Sequence, residues 1–189
     1  MSSFTFGPLV RDTAAALATA PDAAVATFRV DSRQVAGLQS RVHVRSFQVD
    51  VDEPPSLGGT DAAPNPVELA LAALAACQEI TYRLHADALG IPLDGVSVSI
   101  EGVIDLRGFF AVDEAVRPGF TAIRGSVLLD SPAPPDELRR LKAHVDAHCP
   151  VLDLLSNPTP VELELRTPSS EAVESAEPAG PRGQLEGAA

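Results

Sequence analysis

Residues 65–92 constrain this chain more than any other stretch. Asn65 is a good helix N-cap, and Pro66 suits the first helical position, where its missing N–H has no partner to lose. Glu68, three residues after Asn65, completes a capping-box pattern. The helix is predicted to run to about Leu89, where Gly90 fits the left-handed position and Pro92 blocks continuation. About 24 residues at 1.5 Å each give a rod of roughly 36 Å. Its first half, Leu69-Ala70-Leu71-Ala72-Ala73-Leu74-Ala75-Ala76-Cys77, has no polar face. A helix apolar all round must be covered on every side. In a chain of 189 residues a sheet covers one side, and a partner subunit is the easiest cover for the other. The sequence therefore predicts an obligate homodimer.

The flanking segments alternate between strand and helix signals. Residues 1–24 read as an N-terminal extension, with a short Ala-rich helix over 9–20 ended by Pro21-Asp22. Val25, Thr27, Phe28 and Val30, then Val42, Val44, Phe47, Val49 and Val51, predict a hairpin turning around Gly37. The run from Pro54 to Pro66 is a dense block of turn formers, and a loop of that size in a compact domain is more often functional than idle. Val96, Val98 and Ile100, then Val103, Ile104 and Leu106, read as a strand kinked at Gly102, with a return strand from Phe120 to Leu129. A second helix opens at Pro134-Pro135-Asp136-Glu137 and places Leu138, Leu141, Val145 and Cys149 on one stripe, so Cys149 is expected to end it pointing inward, with Pro150 as the stop. Val161, Leu163 and Leu165 alternate with charged residues and predict a last antiparallel strand. The main domain thus spans 25–166, and 167–189 reads as a disordered acidic tail.

The net charge of −12 argues against nucleic acid and against an anionic membrane surface, both of which need clustered Lys and Arg. No secretory leader is visible after Met1, and no apolar run approaches the roughly 18 residues of a membrane span. The expected compartment is the cytoplasm. There the two cysteines, Cys77 and Cys149, read as free, buried or catalytic thiols more readily than as a structural disulfide.

Each cysteine admits a bland reading. A lone Cys in an Ala-rich helix is usually a small hydrophobe, and Cys77 would need a cation from elsewhere to become reactive. Cys149 carries extra weight because it precedes a proline, where local unwinding could move it, as a resolving thiol requires. His144 and His148 are four apart beside Cys149, a metal-like spacing, but no CxxC accompanies them, and they read as solvent-facing helix histidines. His43 and His85 stand isolated. Gly58-Gly59 lacks the rest of a phosphate loop, and no G-x-S-x-G motif is present. Asp52-Glu53 is most simply a turn start and Glu68 a cap.

Taken in order, Asp52-Glu53-Pro54, Gly58-Gly59-Thr60-Asp61, Pro64-Asn65-Pro66-Val67-Glu68, Ala75-Ala76-Cys77, Gly90-Ile91, Asp105-Leu106-Arg107-Gly108-Phe109 and Cys149-Pro150-Val151 resemble the OsmC/Ohr family over about residues 25–166. The resemblance implies an α+β fold built as an intertwined homodimer, with two bent antiparallel sheets around two long central helices. It implies a thiol peroxidase acting on organic hydroperoxides in the oxidative stress response. Cys77 would be the peroxidatic cysteine, Cys149 the resolving one and a dithiol the reductant, with no metal, flavin or haem cofactor. The sequence departs from the family at one place. There a Glu directly follows the Asn-Pro pair and pairs with an Arg beside the reactive cysteine; here Val67 stands in that place. Glu68 lies about 100° further round the helix and does not simply substitute. Arg45 is the preferred partner for Cys77, with Arg33 and Arg41 as alternatives, and Glu53 could supply the carboxylate. Val67 also keeps open a non-enzymatic reading, in which the same scaffold holds a small apolar ligand. A third reading, a partner-binding protein, would use the acidic tail.

Overall fold

The computed structural model describes residues 5–167. Residues 5–157 belong to one compact unit and 158–167 to a second.

The first unit opens with α1 (Gly7–Thr19), two residues earlier than the Ala-rich pattern suggests. The backbone N–H of Phe6 donates to the Asp87 carboxylate at 2.8 Å, which anchors the entry to α1. A meander of β1 (Asp31–Ala36), β2 (Gln39–Val44) and β3 (Phe47–Val51) follows, all antiparallel. The expected hairpin is therefore corrected in two ways. Residues 25–30 form no strand: Val25 and Phe28 are 82% and 93% exposed, so their alternation has nothing to pack against. A second turn at Arg45-Ser46 splits the later run, with Arg45 in the left-handed region at φ 56°.

The central helix α2 (Pro66–Leu89) has the predicted bounds. The Asn65 side chain accepts from the Glu68 N–H, the Glu68 carboxylate accepts from the Asn65 N–H, and both bonds are 2.8 Å. Gly90 closes the helix at φ 71°. The hairpin of β4 (Gly95–Ile104) and β5 (Phe120–Asp130) packs on α2, and β4 runs unbroken through Gly102. A one-turn helix, α3 (Leu106–Phe109), lies in their connection, capped by Asp105, whose pKa falls to about 2 because it accepts from Arg107. α4 (Pro135–Asp146) lays Leu141 and Val145 against Tyr82 and Ala86 of α2, and Ile91 and Leu93 complete this core.

Cys149 does not end α4. The helix stops at Asp146, and α5 (Pro150–Ser156) begins at the proline that was expected only to terminate. Proline disfavours helical backbone in the residue before it and suits the first helical position. Cys149 is accordingly extended (φ −85°, ψ 112°) and acts as the N-cap of α5.

The second unit, over 158–167, carries no regular element. Val161, Leu163 and Leu165 are 77–93% exposed, so the predicted last strand is not formed here; a lone alternating segment has no ladder to satisfy its backbone. The tail, apart from Thr167, lies outside the described residues. No helix of the described chain is long and apolar enough to cross a membrane.

Candidate active site

The junction between α4 and α5 returns to the middle of α2 and sets the two sulfurs 3.4 Å apart. The stripe Leu141–Val145 is fully buried against α2, and Cys149 continues it at 1% exposure while Cys77 is half-buried. Burial pushes the Cys77 thiol above its ordinary value, and the neighbouring Cys149 pushes it the same way. The Val151 backbone N–H and the Thr81 hydroxyl oppose this, because each can donate to a thiolate. Thr81, one turn beyond Cys77 and 6% exposed, donates its hydroxyl to the Cys77 carbonyl at 2.7 Å. Among the described residues no hydrogen bond or ion pair joins Cys77 to an arginine.

The other residues singled out from the sequence stand apart from the sulfurs. The Arg45 guanidinium lies 5.2 Å from the centre of the Phe47 ring. Arg41 is bonded to Asp50 at 2.8 Å. Arg33 faces Arg41 across the β1–β2 ladder. Glu68 serves as the cap, and Val67 is exposed. Asp52 is buried and orders the 52–62 loop: its carboxylate accepts from the Thr60 hydroxyl (2.6 Å), the Thr60 N–H (3.1 Å) and the Ala62 N–H (3.1 Å). Those donors hold its pKa far below the usual carboxylate range. Gly59 lets the loop fold back, since a Cβ there would stand 1.8 Å from the Glu53 carbonyl oxygen. Glu53 Oε2 is buried within this loop and has no hydrogen-bond partner among the described residues.

Two features escaped sequence reasoning. His85 is not isolated: its Nδ1 lies 3.0 Å from His144 Nε2, and His148 stacks on His144 with ring centres 4.3 Å apart. The signal was available, because residues 77, 81 and 85 share one face of α2 and the stripe through Leu141 and Val145 brings α4 to that face. Burial and the two neighbouring imidazoles lower the His85 pKa. Among the described residues no group of three or more His, Cys, Asp or Glu is arranged to hold a metal ion. Gln78 is the second feature. It directly follows Cys77, is 5% exposed and lines a cavity between α2 and the β4–β5 hairpin.

Comparison with known proteins places this geometry. The chain is similar in structure to an OsmC-like protein from Mycoplasma pneumoniae (19% identity, 70% of this chain and 89% of that one, TM-score 0.61). It is also similar to an organic hydroperoxide resistance protein OsmC from Legionella pneumophila (23% identity, 69% and 91%, TM-score 0.55). A third likeness is an OsmC-like protein of unknown function from Vibrio cholerae (11% identity, 71% and 96%, TM-score 0.54). At these identities the likeness establishes the α+β fold with its two antiparallel sheets. No curated protein matches the sequence. The family described as OsmC-like protein matches residues 59–164, more than half of the chain and the span holding both cysteines, and the chain belongs to that family.

Proposed function

We propose that this chain is a cysteine-based peroxidase that reduces organic hydroperoxides, working as a homodimer in a reducing compartment, the cytoplasm. The observation that carries the reading is the 3.4 Å separation of two thiols that lie 72 positions apart in the chain. The Cys77 thiolate attacks the terminal peroxide oxygen, the O–O bond breaks, and the alkoxide leaves and takes a proton from water to become the alcohol. Cys77 is then a sulfenic acid. The Cys149 sulfur displaces its hydroxyl as water and forms the Cys77–Cys149 disulfide. An external dithiol reduces that bridge by exchange and leaves as its own disulfide.

The homodimer reading is supported by the single chain's own surface: Ala72, Ala73, Ala76 and Ile80 of α2 are exposed. A second copy would cover this apolar face. In that assembly Arg45 is assigned to the Cys77 thiol, and a cation to Glu53 Oε2, which is buried without a hydrogen-bond partner among the described residues. Arg45 is the proposed activator and Glu53 its proposed orienting carboxylate.

Consumption of cumene hydroperoxide by purified protein tests the reading. Cys77→Ser abolishes turnover, whereas Cys149→Ser permits at most one turnover without added thiol. Full activity in Cys77→Ser would refute it.

A further inference from the structure

Three imidazoles meet where α4 approaches α2, and the sulfur chemistry uses none of them. His85 Nδ1 lies 3.0 Å from His144 Nε2. His148 stacks on His144 with ring centres 4.3 Å apart, and its centre is 5.5 Å from that of His85. His85 and His144 are half-buried and His148 is exposed. Among the described residues the His85–His144 contact is the only side-chain hydrogen bond between α2 and α4. The rest of that interface is the apolar packing of Leu141 and Val145 on Tyr82 and Ala86. An N–H···N bond needs one neutral ring as acceptor, so it survives one proton on the pair and is lost with two. The tautomer of His148 is fixed. Its Nδ1 is 2.7 Å from the His144 carbonyl, which only accepts, so Nδ1 carries the hydrogen and Nε2 is left to take a proton.

Below about pH 6.5, where imidazoles ordinarily charge, positive charge collects on these three rings, and no carboxylate is bonded to them. The charges that act on His85 are those of His144 and His148. On α4, Asp146 is paired with Lys142. On α2, Asp87 accepts from the Phe6 N–H, Arg83 donates to the Leu93 and Asp94 carbonyls, and Glu79 is exposed. Burial and the nearby Asp146 keep Tyr82 neutral. α5 brings Asp153, which is bonded to Asn157. α1 brings Arg11 and Asp12, and the β4–β5 hairpin brings Glu101, Arg124 and Asp130, all exposed.

We propose that the His85–His144–His148 cluster is a pH gate on the sulfur pair: protonation pushes the end of α4 off α2 and favours the dithiol over the Cys77–Cys149 disulfide. Two of the rings belong to the end of α4 that runs directly into Cys149, and the third belongs to the helix that carries Cys77. Repulsion among them draws His148, and Cys149 with it, away from α2. A Cys77–Cys149 bond holds the same junction closed. The bridged chain therefore binds imidazole protons less well than the dithiol, and by linkage acid opposes the bridge. The inference rests on the 3.4 Å approach of the sulfurs and does not depend on peroxide turnover.

Exchange with dithiothreitol isolates the effect. Its oxidised form takes one hydrogen from each cysteine, its S–S bond becomes two S–H groups, and the chain gains the Cys77–Cys149 bond. Below about pH 7.5 the thiols on both sides are mostly protonated, so no net proton is released and the exchange constant is flat with pH unless another group is coupled to it. The full chain is brought to equilibrium from both directions, bridging is counted by mass spectrometry, and circular dichroism at each pH confirms the folded state. The constant is expected to fall at least tenfold between about pH 7.5 and 5.5. His85→Gln and His144→Gln should each reduce that fall to less than about threefold. Unfolding the wild type in urea, which disperses the cluster, should make the constant flat. A flat constant in the folded wild type, a fall as steep in both variants, or a fall that persists in urea would each overturn the proposal.

Discussion

Oxidation of the Cys77–Cys149 pair is expected to stabilise the folded chain strongly, and the size of the effect follows from topology. The bridge would close a loop of 72 residues. In the chain-entropy treatment such a cross-link removes about 15 cal/mol/K from the unfolded ensemble, or about 4 kcal/mol at 25 °C. The native state has little to rearrange: the sulfurs are 3.4 Å apart and a bond needs about 2.05 Å, an approach that side-chain rotation can supply. For a chain of this size 1 kcal/mol moves the melting temperature by roughly 2–4 °C, so the oxidised protein should melt on the order of 10–15 °C above the reduced one. The assay compares reduced wild type, wild type oxidised by a small excess of cumene hydroperoxide, and Cys149→Ser under both treatments. All are held at one protein concentration, so that association does not contribute. Mass spectrometry confirms the loss of two hydrogens within one chain. If the bridged protein melts no higher than the reduced one, the two cysteines do not meet in the native fold as described.

Three further outcomes follow from the same geometry. Gly59→Ala puts a methyl group against the Glu53 carbonyl oxygen and should cost about 1–3 kcal/mol in urea denaturation; an unchanged midpoint would mean that the loop does not fold back on Glu53. Because His85 in the folded chain has a pKa below its ordinary 6.5, the unfolded chain takes up that proton first. Stability should therefore decline as pH falls through 6.5 towards the lowered folded value, and His85→Gln should flatten that part of the profile; parallel profiles for the two proteins would sink the idea. If a second copy brings Arg45 to Cys77 as proposed, Arg45→Ala should slow alkylation of Cys77 by iodoacetamide about tenfold at pH 7, equivalent to about 1.4 kcal/mol of lost thiolate stabilisation, and equal rates would refute the proposal that Arg45 activates Cys77.

What could be read from the sequence followed from how local each determinant is. The bounds of α2 were legible because Asn65, Pro66, Glu68 and Gly90 act within one turn of the backbone they cap. The inward direction of Cys149 was legible because Leu141 and Val145 fix the buried stripe. Its backbone was not, because Pro150 both ends one helix and starts another, and the residue spacing alone does not separate the two roles. The alternation over 25–30 and 161–165 was misread for a different reason. Period-two patterning states which side chains share a face, not whether another strand arrives to pair. The His85 cluster went unread although the shared face of α2 was legible, because the partner imidazole of His144 lies 59 residues away in sequence.

The chemistry of Cys77 turns on a balance that one chain leaves unfinished. Burial and a neighbouring thiol disfavour the thiolate, while one backbone N–H and one hydroxyl favour it; none of the four carries a full positive charge. Neutral donors strengthen a buried anion less than a cation does, because charge-assisted bonds are roughly twice as strong. Glu53 Oε2 presents the converse problem, a buried acceptor without a donor among the described residues. A single incoming guanidinium would relieve both, and α2 keeps an uncovered apolar face at Ala72, Ala73, Ala76 and Ile80 against which a second copy could seat. Assembly and activation of the thiol are therefore expected to be one event: conditions that dissociate the protein should leave Cys77 slow to alkylate even though its sulfur becomes more accessible.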